Sequence, residues 1–64
     1  MRNVNRLVLV HNSGQFYSEM MKNKLTDNLA LATLIKDQYE VQQTLTFLPN
    51  HYEFKVSKVE IKVG

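Results

Sequence analysis

Cysteine is absent from this chain, proline occurs once, at Pro49, and glycine twice, at Gly14 and Gly64. Without cysteine no disulfide forms, and a cysteine-based zinc site is excluded. The composition is compatible with a reducing cytosol. Sparse proline and glycine, with no low-complexity tract and no internal repeat, argue against disorder. Long apolar runs are missing too. The run nearest the N-terminus, Leu7 to Val10, has four residues, against about 7 to 15 in a secretory signal and about 20 in a membrane span. A soluble, non-exported, cytoplasmic chain with no membrane partner is expected.

An excess of one charge is also missing. Eight Lys and Arg stand against six Asp and Glu, a net charge of +2, and the basic residues are dispersed rather than clustered as in nucleic-acid tails. Sixty-four residues make at most one small domain, residues 1–64. A chain of this size buries only about 60% of the surface its unfolded form exposes, so its core is marginal. With disulfide and cysteine–zinc staples excluded, self-association is the remaining common support, and a homo-oligomer is expected.

What is present has a readable order. Arg6 to Val10, RLVLV, suits a short strand buried on both faces. It ends at His11-Asn12-Ser13-Gly14, where Asn12 and Gln15 have capping-box spacing, so helix is expected from about Ser13. Phe16 and Met20, and Tyr17, Met21 and Leu25, then recur at four-residue intervals along one side of that helix. Thr26 or Asp27 is placed to cap a second helix. Over residues 29–39, Leu31, Leu34, Ile35 and Tyr39 fall at helical spacing, while Leu29, Leu31, Thr33 and Ile35 alternate as in a strand. Helix is the preferred reading, and with no glycine or proline between Gly14 and Pro49 a single long helix is also open. From Val41 the pattern turns to strand, with Thr44 to Leu48 rich in strand formers. A turn at Leu48-Pro49-Asn50-His51 leads to the longest strand, Tyr52 to Val63. The fold class expected is α+β: a short N-terminal strand, one or two helices, and a C-terminal antiparallel hairpin in one small sheet, with the helices on one face.

That last strand changes phase. Tyr52, Phe54 and Val56 are apolar and alternate with polar residues; after Ser57–Lys58 the apolar positions become Val59, Ile61 and Val63. A β-bulge, which adds one residue and resets the phase, accounts for the switch and would bury both trios on one side. The simpler reading is that the strand ends near Ser57. Lys55, Lys58 and Lys62 are the residues an edge strand uses to discourage further pairing.

Chemistry is sparse. His11 and His51 lie beside turns, and no HxxH, HExxH or DxD spacing supplies further ligands or a carboxylate partner. No glycine-rich phosphate loop exists, and Ser13 and Ser18 lack a nucleophile context. No catalytic, cofactor-binding or metal-binding residue is assigned, and an enzyme is not expected. Phe16, Tyr17, Met20 and Met21 are the candidate partner-binding residues, because aromatics and methionine are enriched in interface cores. The expected function is a non-enzymatic protein-binding module acting as a homodimer. Size and style suit a phage or mobile-element accessory protein that modulates a host protein. The alternative is a small nucleic-acid-binding transcriptional regulator, in which Arg2, Arg6, Lys22 and Lys24 would carry the contacts.

Overall fold

The computed structural model describes residues 2–63. Strand β1 is Arg2–His11, β2 Phe16–Tyr17 and β3 Leu25–Thr26; helix α1 is Gln38–Phe47 and strand β4 Phe54–Val63, with single 3₁₀ turns at Leu29–Leu31 and His51–Glu53. The strands form one antiparallel sheet in the order β3-β2-β1-β4. The fold is α+β, with an N-terminal strand and a C-terminal antiparallel pairing in one sheet. The N-terminal strand is as long as the C-terminal one, at ten residues.

Strands β1 and β4 pair over ten successive positions, from Arg2 opposite Val63 to His11 opposite Phe54, without a slip. There is no bulge at Ser57–Lys58, and the strand does not end there. Because side chains alternate, Phe54 and Val56 share the face of Leu9 and His11, whereas Val59 and Ile61 share the face of Val8 and Val10. The two halves of β4 bury toward opposite layers. On the first face Leu9, Tyr17, Ile35 and Val41 form the core cluster, flanked by Leu7, Leu45, Leu48 and Phe54. Along the other, Leu29, Ala30 and Leu34 lie beside Val59 and Ile61. Cover that changes sides half-way along the sheet is what the phase switch in the sequence encodes.

Three other segments depart from the sequence reading. Helix was expected from Ser13, but residues 11–17 form a hairpin. Gly14 N donates to His11 O (2.9 Å) and His11 N to Gln15 O (2.7 Å), with Gly14 at φ +91°. This is a three-residue loop with glycine at its left-handed position, and it brings Tyr17 beside β1 and into the core. Residues 29–39, expected as helix, hold one 3₁₀ turn capped by the Asn28 side chain (to Ala30 N, 3.0 Å). Residues 32–37 then run without helix, so that Ile35 and Leu7 exchange two backbone bonds of 2.7 Å, and only Gln38 and Tyr39 are α-helical, as the start of α1. Thr44 to Leu48, expected as a strand, is the last turn and C-cap of α1, and the antiparallel partner of the C-terminal strand is β1. The helix starts where Asp37 caps Glu40 N (3.0 Å) and the Glu40 carboxylate returns to Lys36 N (3.4 Å), a variant of the capping box. Val41, Leu45 and Leu48 make its one apolar stripe.

Leu9 is fully buried at the centre of the sheet, so Leu9→Ala should cost about 2 to 5 kcal/mol, a large part of a small domain's stability. Asp37→Ala should cost about 1 kcal/mol through the lost cap. Urea unfolding followed by circular dichroism checks both; a Leu9→Ala chain as stable as the parent would show that the core lies elsewhere.

Candidate functional site

Two features draw together residues that are distant in the sequence. The first is a polar chain at the end of the β1–β4 ladder. His11 closes β1 and Glu53 precedes β4, and the register that pairs His11 with Phe54 sets Asn12 against Glu53, whose carbonyl accepts from Asn12 N at 3.0 Å. The side chains meet there, His11 Nε2 lying 2.8 Å from Glu53 Oε1. On the other side of the ring, Ser13 N donates to His11 Nδ1 (3.1 Å) and Ser13 Oγ lies 2.9 Å from the same nitrogen. An Nδ1 that accepts a backbone N–H carries no proton, so the proton sits on Nε2 and is donated to Glu53. Asn50 Nδ2 also donates to Glu53 Oε1 (3.3 Å). These two hydrogen bonds, His11 first, hold the Glu53 carboxyl below the usual carboxylate range. The His11 ring stands edge-on to Phe54 at 5.1 Å, and Phe54 in turn stands edge-on to Tyr17.

Serine, histidine and glutamate in one hydrogen-bonded chain have the composition of a nucleophile system, but the geometry assigns them elsewhere. The backbone donors beside Ser13 that would have to stabilise an oxyanion are already bonded: Ser13 N to His11 Nδ1, Gly14 N to His11 O, and Gln15 N to Ser13 Oγ. What the chain does is tie the β1–β2 turn to the approach of β4. His51 takes no part in it and stands edge-on to the Tyr52 ring. Among the described residues no three of His, Cys, Asp and Glu come together as metal ligands, and no helix is long and apolar enough to cross a membrane.

The second feature is an open groove of about 600 Å³ between α1 and the 18–24 loop, lined in part by Tyr17, Glu19, Lys24, Glu40, Phe47 and Pro49. Phe47 is 85% exposed at the helix end. One and two turns earlier on the same side stand Gln43 and Tyr39, the latter 72% exposed, joined by a Gln43 Nε2 to Tyr39 Oη bond of 3.2 Å. At the floor, burial and then the Glu19 charge push the Tyr17 phenol above its usual range.

The four residues singled out in the sequence for partner binding do not share a face. Tyr17 is a core residue, 7% exposed, Phe16 and Met21 are half-buried, and only Met20 stands free, 72% exposed. The basic set divides likewise: Arg2 and Arg6 lie on β1, Lys22 and Lys24 on the 18–24 loop, and Lys24 lines the groove with Glu19 and Glu40. Phe47, Tyr39 and Glu53 were missed. Phe47 lay inside the segment expected to be a strand, and only the β1–β4 register brings Glu53 to His11. Compared with protein-family models, curated proteins and solved structures, the chain matches none.

The folded carboxyl of Glu53 titrates below its unfolded value, so its stabilisation is complete above the usual pKa of about 4.3 and is lost as pH falls through the folded value. Melting temperature should therefore fall more steeply for the parent than for Glu53→Gln between about pH 5 and pH 3. Parallel curves would show that the His11–Glu53 bond does not hold the turn.

Proposed function

We propose that the chain is a non-enzymatic module that binds another protein, acting as a homodimer in the cytoplasm. The observation that carries this reading is Phe47, an aromatic ring left almost fully exposed at the rim of an open groove, on a helix whose opposite side packs on the sheet. Aromatic side chains in partly apolar grooves are the anchors of protein interfaces, and the stripe Tyr39–Gln43–Phe47 presents two of them on one rigid element. Glu19, Lys24 and Glu40 give the groove a polar rim, the usual surround of such an anchor. A phage or mobile-element accessory role, adjusting a host protein, is the setting that size and composition favour.

The nucleic-acid reading has less to support it. Lys24 shares its groove with two carboxylates, which offset the field a phosphate would need, and Arg6 is engaged with the Asn5 carbonyl at 2.8 Å.

Phe47→Ser and Tyr39→Ser should leave stability within about 0.5 kcal/mol, since both rings are exposed. In a pull-down, each should weaken retention of a bound protein by about 2 kcal/mol, some thirtyfold. Identical retention by parent and variants would overturn the groove reading. Binding to duplex DNA that falls steeply with salt would replace it with the regulator.

A further inference from the structure

Strand β4 ends the sheet, and among the described residues no other strand pairs with its outer side. The direction of its free groups follows from the ladder. Asn12 N bonds Glu53 O, so with the antiparallel register the bonds to β1 come from Lys55, Ser57, Val59, Ile61 and Val63. Strand β1 agrees, since Leu7 and His11 bond away from β4, to Ile35 and Gln15. Val56, Lys58, Glu60 and Lys62 therefore aim their N–H and C=O groups outward, as an unpaired edge from Val56 onward, while Phe54 N donates to His51 O.

We propose that this edge is closed by a second copy of the chain, β4 against β4, antiparallel about a two-fold axis at Val59. The proposal rests on the homodimer reading above and supplies its interface. In antiparallel pairing outward-bonding residues meet outward-bonding residues, which restricts the registers to those with a residue on the axis. Charge then selects among them, because β4 carries three lysines and a single acid, Glu60. With Lys58 on the axis it faces its own copy. With Glu60 on the axis it faces itself, and Lys58 faces Lys62. With Val59 on the axis, Lys58 of each copy faces Glu60 of the other, twice, and Val56 lies against the Lys62 stem, also twice. A register centred on Ile61 sets Glu60 against Lys62 but pairs only residues 59–63. The Val59 register alone pairs residues 55–63, nearly the full strand, with opposite charges facing each other. The same lysines that deter unspecific edge pairing thus select one partner arrangement.

A second observation falls on the same edge. A mainly apolar groove of about 430 Å³ runs along β4 between Leu29 and Leu34 on one side and Val59 to Lys62 on the other, and both leucines are exposed. A two-fold perpendicular to the sheet keeps faces matched, so the two Leu29–Leu34 rows lie on one side of a continuous sheet of eight strands, four from each copy. The interface is isologous and closes on itself.

Charge reversal tests it. Light scattering should give a dimer for the parent, and Lys58→Glu or Glu60→Lys should each raise the dimer dissociation constant about tenfold or more, because both facing pairs become like-charged. Mixing the two variant chains restores facing opposite charges in a heterodimer, as does combining both substitutions in one chain. Amide exchange at Val56, Lys58, Glu60 and Lys62 should be slow in the parent and fast in either single variant. A dimer that persists unchanged in the single variants, or a mixture that fails to re-form one, would overturn the β4 interface and leave the homodimer standing by another surface. A parent that stays monomeric at high concentration would overturn both.

Discussion

The ladder between β1 and β4 joins the two ends of the sequence, and the rest of the chain is laid against it. Val8 and Leu9 are consecutive residues of β1 whose side chains point to opposite faces, yet both are fully buried. A strand in that position needs cover above and below as well as partners at both edges. One face is met by α1 through Val41 and Leu45; along the other run Leu29, Ala30 and Leu34. One edge is met by β4, and the other is shared between β2 and the two bonds to Ile35. Each short, irregular segment has its place because the centre of β1, at Val8 and Leu9, leaves no side free.

Such a centre is demanding for a small chain. His11 and Glu53 stand 42 residues apart in sequence, and closing a loop of that length costs roughly 3 kcal/mol before any pairing is gained. Non-local pairing of this kind also slows folding. The polar chain of Ser13, His11, Glu53 and Asn50 sits where that loop closes, at the first rungs of the ladder. His11 and Glu53 are only partly exposed, with the His11 ring packed edge-on to Phe54. The bonds therefore reward the closed state at the point where the register is set, and a slip by one residue would part His11 from Glu53 and turn Phe54 out of the core.

How much of this was legible follows from the range of the interactions. RLVLV declared a strand buried on both faces, and the alternation of residues 52–63 declared another; both signals are local and both elements exist, though Tyr52 and Glu53 belong to the 3₁₀ turn before β4. The segment from Gln38 to Phe47 carried its own helix start in Asp37 and Glu40, but its threonines and phenylalanine are strand formers, and only the packing of Val41 and Leu45 on the sheet decides for helix. Phe16, Tyr17, Met20 and Met21 recur at helical spacing by accident of a hairpin and a loop, since the glycine that closes the turn outweighs a spacing pattern with no sheet face to pack on. The phase switch in β4 was visible but ambiguous: one sequence cannot distinguish a bulge from a change in which layer covers the sheet. The His11–Glu53 pair and the exposed Phe47 had no local signal, because each depends on where a distant element comes to lie.

The way the apolar residues are distributed bears on why the molecule has unfinished surfaces. A two-layer domain concentrates its apolar side chains on one side of its sheet. Here they are divided between two faces, and neither face is covered along its full length. Val59 and Ile61 are only half-buried, and Leu29 and Leu34 beside them remain exposed. The helix, with its single stripe of Val41, Leu45 and Leu48 turned inward, has no further layer to receive Tyr39 and Phe47. Met20, Leu31 and Tyr52 are exposed singly, as a shortage of core would leave them, but the residues just named are not scattered. They fall in two rows, one along the open edge of β4, where Val59 and Ile61 stand on the strand and Leu29 and Leu34 on the irregular segment beside it, and one along the outer side of α1, each bordered by charge. The strand and the helix hold Val59, Ile61, Tyr39 and Phe47 in fixed positions, so those parts of both rows are ordered before anything binds, and a surface ordered in advance loses less entropy on association.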